Sequence, residues 1–309
     1  MIKRTEKINE KIRKFEQAFI PDKESLVLPK IEKILLALDA HDWVKKSSRY
    51  AYRVTCELAT SHRADVEIIC MAVNDEEYSE SETLVDEAVK YLKENSIEAV
   101  GSCVIGSPSE NILRLMDEEQ HDLLVLPSPY AERVEKESQD SIGATIEILI
   151  SRAEVPLLLL PESRIRPDKI TDSILIPVLG REDVPPLEWA LIFSEKVTAL
   201  KVLDLVRRED IERFKDVSLN LLDEAVDDDL IQISLRDERA PLIKGLKDIA
   251  NEMQIDIEVI EIVGAAIDSI MSKLEKTSLL ILRTGLAQEK GSSLVKEAKR
   301  NGVPLLIIH

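Results

Sequence analysis

From Lys33 onward, short apolar runs alternate with amphipathic segments. The runs Ile34 to Leu38, Val66 to Ala72, Glu98 to Ile105, Asp122 to Leu126 and Val155 to Leu160 predict five strands. Between the first two, Trp43 to Ser61 carries Ala51, Val54 and Leu58 on one helical face. Ser81 to Glu94 predicts a second helix, and Ser107 with Pro108 opens a third as N-cap and first-turn residue. A fourth helix follows Gly143. Most of the strands are apolar throughout rather than alternating, which is the pattern of a parallel sheet covered on both faces.

The same order then restarts. Ile174 to Val178, Ala199 to Leu205, Asp256 to Ile262 and Ser278 to Leu282 predict strands, with helices marked by Trp189 to Ser194 and by Leu242, Leu246, Ile249 and Met253. The two halves close alike: Gly143 to Pro156 and Gly291 to Pro304 span the same 13-residue interval, helical in pattern, and each proline precedes a short apolar run. The fold class is therefore α/β, with two tandem doubly wound five-stranded parallel sheets. The predicted units are residues 31–162 and 172–309, joined by a polar linker over 163–171. Residues 207–240 form a longer charged connection in the second unit, and their acidic run, Asp223 to Asp229, reads as a solvated face.

Residues 1–30 hold a separate element. Ile8, Ile12, Phe15 and Phe19 recur along one helical face, while Lys3, Arg4, Lys7, Lys11, Arg13 and Lys14 outnumber the acids around them. This cationic helix is appended to an acidic body, since the 309-residue chain has a formal net charge of −18. Its expected place is against its own domain, with contact to an anionic membrane or a transporter as the alternative. The acidic balance argues against nucleic acid as a partner, because phosphate backbones are bound through basic faces. The charged start, without an apolar signal region, predicts a cytoplasmic address. Cys56, Cys70 and Cys103 lack Cys-x-x-Cys spacing and read as buried free thiols.

Three stretches in each half carry a family resemblance. In the first half they are Ile34-Leu-Leu-Ala-Leu-Asp39, Gly106-Ser-Pro-Ser-Glu-Asn-Ile112, and Asp122-Leu-Leu-Val-Leu126 followed by the closing helix and Val155-Pro-Leu-Leu-Leu-Leu160. Each half resembles a universal stress protein domain, and the whole resembles a tandem universal stress protein. The resemblance implies strand order 3-2-1-4-5 in the adenine-nucleotide alpha-hydrolase-like manner, pairing through the last strand, and a crevice where strands one and four diverge. Such a switch point is where ligands sit in doubly wound sheets generally.

For ATP or AMP, the resemblance implies Asp39 on the base side, Met71 on strand two, and Gly143 as the last loop glycine. In the second half it implies Gly285, Gly291 and Ser292. Two departures predict degenerate sites. Pro127-Ser-Pro-Tyr130 stands where the family has glycines after strand four, and Glu132, Glu135, Glu137 and Asp140 outnumber Arg133 and Lys136 in the loop that follows. Leu179 stands where the second half should have its aspartate, although Arg283 and Lys290 make its shorter loop less hostile to an anion.

No nucleophile elbow, Walker loop or zinc spacing is present, and of four histidines only His41 falls near the expected crevice. The expected function is thus a non-catalytic stress-response or regulatory protein that works through a protein partner, with intramolecular pairing of its halves and a homo-oligomer as a further option. The alternative is an ATP or AMP sensor, or a slow nucleotide hydrolase, using one retained site. No metal is expected.

Overall fold

A computed structural model describes residues 28–41, 44–72, 75–131, 143–194, 199–222 and 226–309; the expected helix over residues 1–20 lies outside them. The first five strands are β1 (Lys33–Leu38), β2 (Asp65–Ala72), β3 (Ala99–Ile105), β4 (Leu123–Ser128) and β5 (Leu157–Pro161). Helices α1 (Lys45–His62), α2 (Asp75–Glu94), α3 (Pro108–Glu118) and α4 (Ala144–Arg152) follow the first four in turn. The second series is β6 (Ser173–Val178), α5 (Val184–Phe193), β7 (Ala199–Arg207), α6 (Arg208–Leu222), α7 (Asp228–Glu252), β8 (Ile257–Gly264) and α8 (Ala266–Met271). It closes with β9 (Leu279–Arg283), α9 (Thr284–Arg300) and β10 (Leu305–Ile308).

The strands lie in the order β3-β2-β1-β4-β5-β10-β9-β6-β7-β8. Each half keeps the expected 3-2-1-4-5 order, and the two sheets join through their last strands, as the resemblance implies. β5 and β10 pair antiparallel, with Leu305 opposite Leu159 and Leu306 opposite Leu158, and all other neighbours are parallel. One ten-stranded sheet results.

Alternate residues of the central strands point to opposite faces, and both faces are covered. Ile34, Leu36, Ile174, Ile176, Leu158 and Leu306 join the core under α1, α2, α5 and α7. Leu35, Leu175, Leu157, Leu159, Leu305 and Ile307 join the core under α3, α4, α8 and α9. Both cores run past the β5–β10 junction without a break, which is why those strands carry apolar residues at every position. The edge strands β3 and β8 are the exception: Val100, Ile105 and Val263 are exposed.

Two expectations are corrected. The stretch from Arg283 to Ser293, read as a loop, is helical, because α9 starts at Thr284 directly after β9. Leu286, Ala287, Leu294, Val295 and Ala298 are buried along one side of it. Burying leucines at ~1.5–3 kcal/mol each outweighs the ~1 kcal/mol by which each glycine disfavours a helix. The connection over 207–240 is likewise helical through most of its length. α6 and α7 fold back on β7 through a small core of Val206, Ile211 and Ile231, and the helix expected around Leu242 to Met253 is the last part of α7.

Candidate functional site

In the first half, β1 ends at Leu38 and hands the chain to Asp39, which is buried at 3% exposure. The Asp39 backbone is fixed by Ser48 of α1: its N–H donates to Ser48 Oγ at 3.2 Å, and Ser48 Oγ donates to its carbonyl at 2.7 Å. The carboxylate reaches both sides of the switch point. Oδ1 accepts from the His41 N–H at 2.9 Å and faces His41 Nδ1 at 2.6 Å. Oδ2 accepts from the Ala131 N–H at 2.7 Å, beyond the end of β4. Asp39 therefore ties the ends of β1 and β4 together, and with Nδ1 taken as the donor, the acceptor nitrogen of the His41 ring is Nε2.

Above this tie is a cavity of about 500 Å³ walled by Asp39, His41, Met71, Ser107, Tyr130 and Thr145. Its size falls within the range of small-molecule sites. Met71 is the next-to-last residue of β2, and its sulfur lies 4.0 Å from Asn111 Nδ2 of α3. Gly106 stands in the wall at φ 138°, a conformation closed to side chains. Gly143, at φ 85°, is buried at the N-cap of α4, one residue before the helix that supplies Thr145. The structure thus brings Asp39, Met71 and the start of α4 to one crevice. β4 extends two residues further than expected, to Ser128, so Pro127 is a strand residue opposite Leu160 rather than the start of a loop. Residues 132–142, with the acids that argue against a phosphate chain, lie outside the described residues.

Tyr130 is the wall residue that sequence reasoning missed. It is 1% exposed, and its hydroxyl has no hydrogen-bond partner among the described residues. Burial, with Cys70 and Asp39 nearby, pushes the phenol well above its usual pKa. It stays a neutral donor. Burial also pushes the Cys70 thiol up to about 12.

The end of β6 in the second half carries a different set of bonds. Leu179 follows β6, and its N–H and that of Gly180 donate to Asp183 Oδ2 at 2.6 and 3.0 Å. Burial raises the Asp183 pKa against the lowering effect of those two bonds and of Arg283. Arg239 of α7, 3% exposed, donates through Nη1 to the Leu179 carbonyl at 3.0 Å and through Nε to Asp204 Oδ1 of β7 at 2.8 Å. Its Nη2 lies 2.6 Å from the same carboxylate oxygen. Arg283 is engaged with Glu182 at 3.3 Å and Asp183 at 3.4 Å. Gly285, Gly291 and Ser292 lie in the first half of α9 and form no loop after β9.

One group of described residues could hold a metal ion: Glu67, Glu119 and His121, at the other end of the first-half sheet. Lys33 supplies the cation there. Its ammonium pairs with Glu119 and lies 3.1 Å from Glu67 Oε2, which also faces His121 Nε2 at 3.1 Å. No described helix is long and apolar enough to cross a membrane.

No protein-family model and no curated protein matches the chain. Solved structures do. A universal stress protein from Archaeoglobus fulgidus DSM 4304 is 13% identical with a TM-score of 0.62, over 90% of this chain and 96% of that one. A functionally unknown protein from Pseudomonas aeruginosa PAO1 is 12% identical with a TM-score of 0.58, over 90% of this chain and 92% of its own. A further A. fulgidus universal stress protein, in complex with dAMP, is 16% identical with a TM-score of 0.34, over 43% of this chain and 98% of that one. The fold is that of the universal stress proteins: α/β, with helices on both faces of a mostly parallel sheet.

Proposed function

We propose that this chain is a tandem, non-catalytic regulatory protein in which the first crevice is the single small-ligand site and takes an adenine nucleotide of AMP size. The observation that carries this reading is the asymmetry of the two crevices. One is a cavity of about 500 Å³ beside Asp39; in the other, Leu179 takes the place of the aspartate, and Arg283 is held by Glu182 and Asp183. Asp39 offers carboxylate lone pairs to an exocyclic amine, and Met71 a polarizable surface for a flat ring. The hydroxyls of Ser107 and Thr145 suit a ribose or one phosphate. A triphosphate is disfavoured by the acids of residues 132–140. A cytoplasmic address and transmission of the ligand state to a protein partner complete the reading.

The test is equilibrium dialysis with AMP and ATP. AMP is expected to bind more tightly than ATP, and Asp39→Asn to weaken AMP at least tenfold. Equal AMP binding by parent and variant would overturn the assignment. A second reading, slow nucleotide hydrolysis, is favoured by the 2.6 Å approach of His41 to Asp39, the geometry of an oriented imidazole base. Phosphate release from ATP that disappears in His41→Ala would support it.

A further inference from the structure

We infer that residues 1–20 of this chain dock on the end of the α6–α7 hairpin, their apolar stripe against its exposed apolar residues and their basic residues against its acids. The hairpin is an addition to the second half. One helix, α2, joins β2 to β3 in the first half, whereas α6 and α7 join β7 to β8 in the second. Four of the ten large apolar residues exposed among the described residues lie on it: Val217, Leu219, Leu230 and Ile233, each about half exposed. Leu230 and Ile233 stand one turn apart on one side of α7. The Lys215 ammonium, 2.6 Å from Asp228 Oδ1, holds α6 beside the first turn of that helix. Asp216 precedes Val217 on α6, and Asp227, Asp228 and Asp229 precede Leu230 at the start of α7; all four are exposed.

Charge selects the occupant. The chain has a net charge of −18, so a second copy would bring negative charge against these aspartates, as would an anionic membrane. Residues 1–20 carry six basic residues against three acids, together with the stripe Ile8, Ile12, Phe15 and Phe19. That is the complement of an apolar group bordered by carboxylates. Topology supplies the reach. Because β5 and β10 pair antiparallel, the carboxyl end of β7, where Val206 and Ile231 anchor the hairpin, lies on the same edge of the sheet as the start of β1. The first described residue, Leu28, stands just before β1 on that edge. β1 and β7 are six strand spacings apart, about 29 Å. Residues 21–27 extend over up to about 25 Å, and a 20-residue helix adds about 30 Å, so the segment spans the gap.

The experiment uses the full chain in two ways. Carbodiimide crosslinking read by mass spectrometry is expected to join Lys3, Lys7, Lys11 or Lys14 to Asp216, Asp227, Asp228 or Asp229 within one chain. Hydrogen exchange is expected to show the amides of residues 1–20 protected in the parent, since an isolated helix of this length is marginal in water. In the double variant Leu230→Asp with Ile233→Asp, the same amides are expected to exchange at least tenfold faster. Crosslinks that are absent, fall on other acids or join two chains would overturn the inference. Equal exchange in parent and variant, or protection that needs anionic vesicles, would overturn it as well.

Discussion

Arg239 and Asp204 form a buried ion pair. They are 3% and 5% exposed, and a buried charge is tolerable only while its partner remains. Arg239→Met is expected to cost ~3–5 kcal/mol in urea unfolding, because Asp204 is left unpaired. The double variant Arg239→Met with Asp204→Leu is expected to recover most of that loss. A single variant within about 1 kcal/mol of the parent would mean that the pair is solvated rather than buried. Nothing in the sequence marked this pair: Asp204 is one polar residue inside the apolar run Leu203 to Val206, and Arg239 stands in a segment rich in both charges. The position of Asp39 and Met71 beside one crevice was legible only through the family resemblance, which puts one at the end of strand one and the other on strand two. Tyr130 was seen only as a departure from a glycine pattern, since neither burial nor a missing hydrogen-bond partner can be read from residue order.

At the scale of elements, α9 is where the local signal and the outcome diverge most. Two glycines close to a strand end suggest a turn, but the buried series from Leu286 to Ala298 continues the helix through both. The consequence is testable at Gly285, where an added Cβ would find its nearest neighbour, Arg283 Cζ, at an ordinary 3.6 Å. Gly285→Ala is expected to stabilise the protein by up to ~1 kcal/mol. A loss of 1 kcal/mol or more in urea unfolding would restore the loop. Strands were read better than helices and connections. A strand covered on both faces writes itself as an unbroken apolar run, whereas charged amphipathic segments such as α6 and α7 resemble a solvated connection until their buried residues are located. The edge strands confirm the rule from the other side, because β3 and β8 expose residues and mix polar with apolar positions.

At the scale of the molecule, two halves of the same strand order share one sheet and two uninterrupted cores, yet their crevices differ. The repeated strand order was legible in the doubled Gly-to-Pro pattern, because the same helix periodicity and strand length recur in both halves. Joining through the last strands was expected from the resemblance; the antiparallel register, Leu305 opposite Leu159, was not, since register between strands more than a hundred residues apart leaves no local trace. The proposal of one ligand site rests on the difference between the ends of β1 and β6, where Asp39 in the first half is matched by Leu179 in the second. Calorimetric titration of the full chain with AMP is expected to give one site per chain. Two equivalent sites, or heat that persists unchanged in Asp39→Asn, would contradict the account.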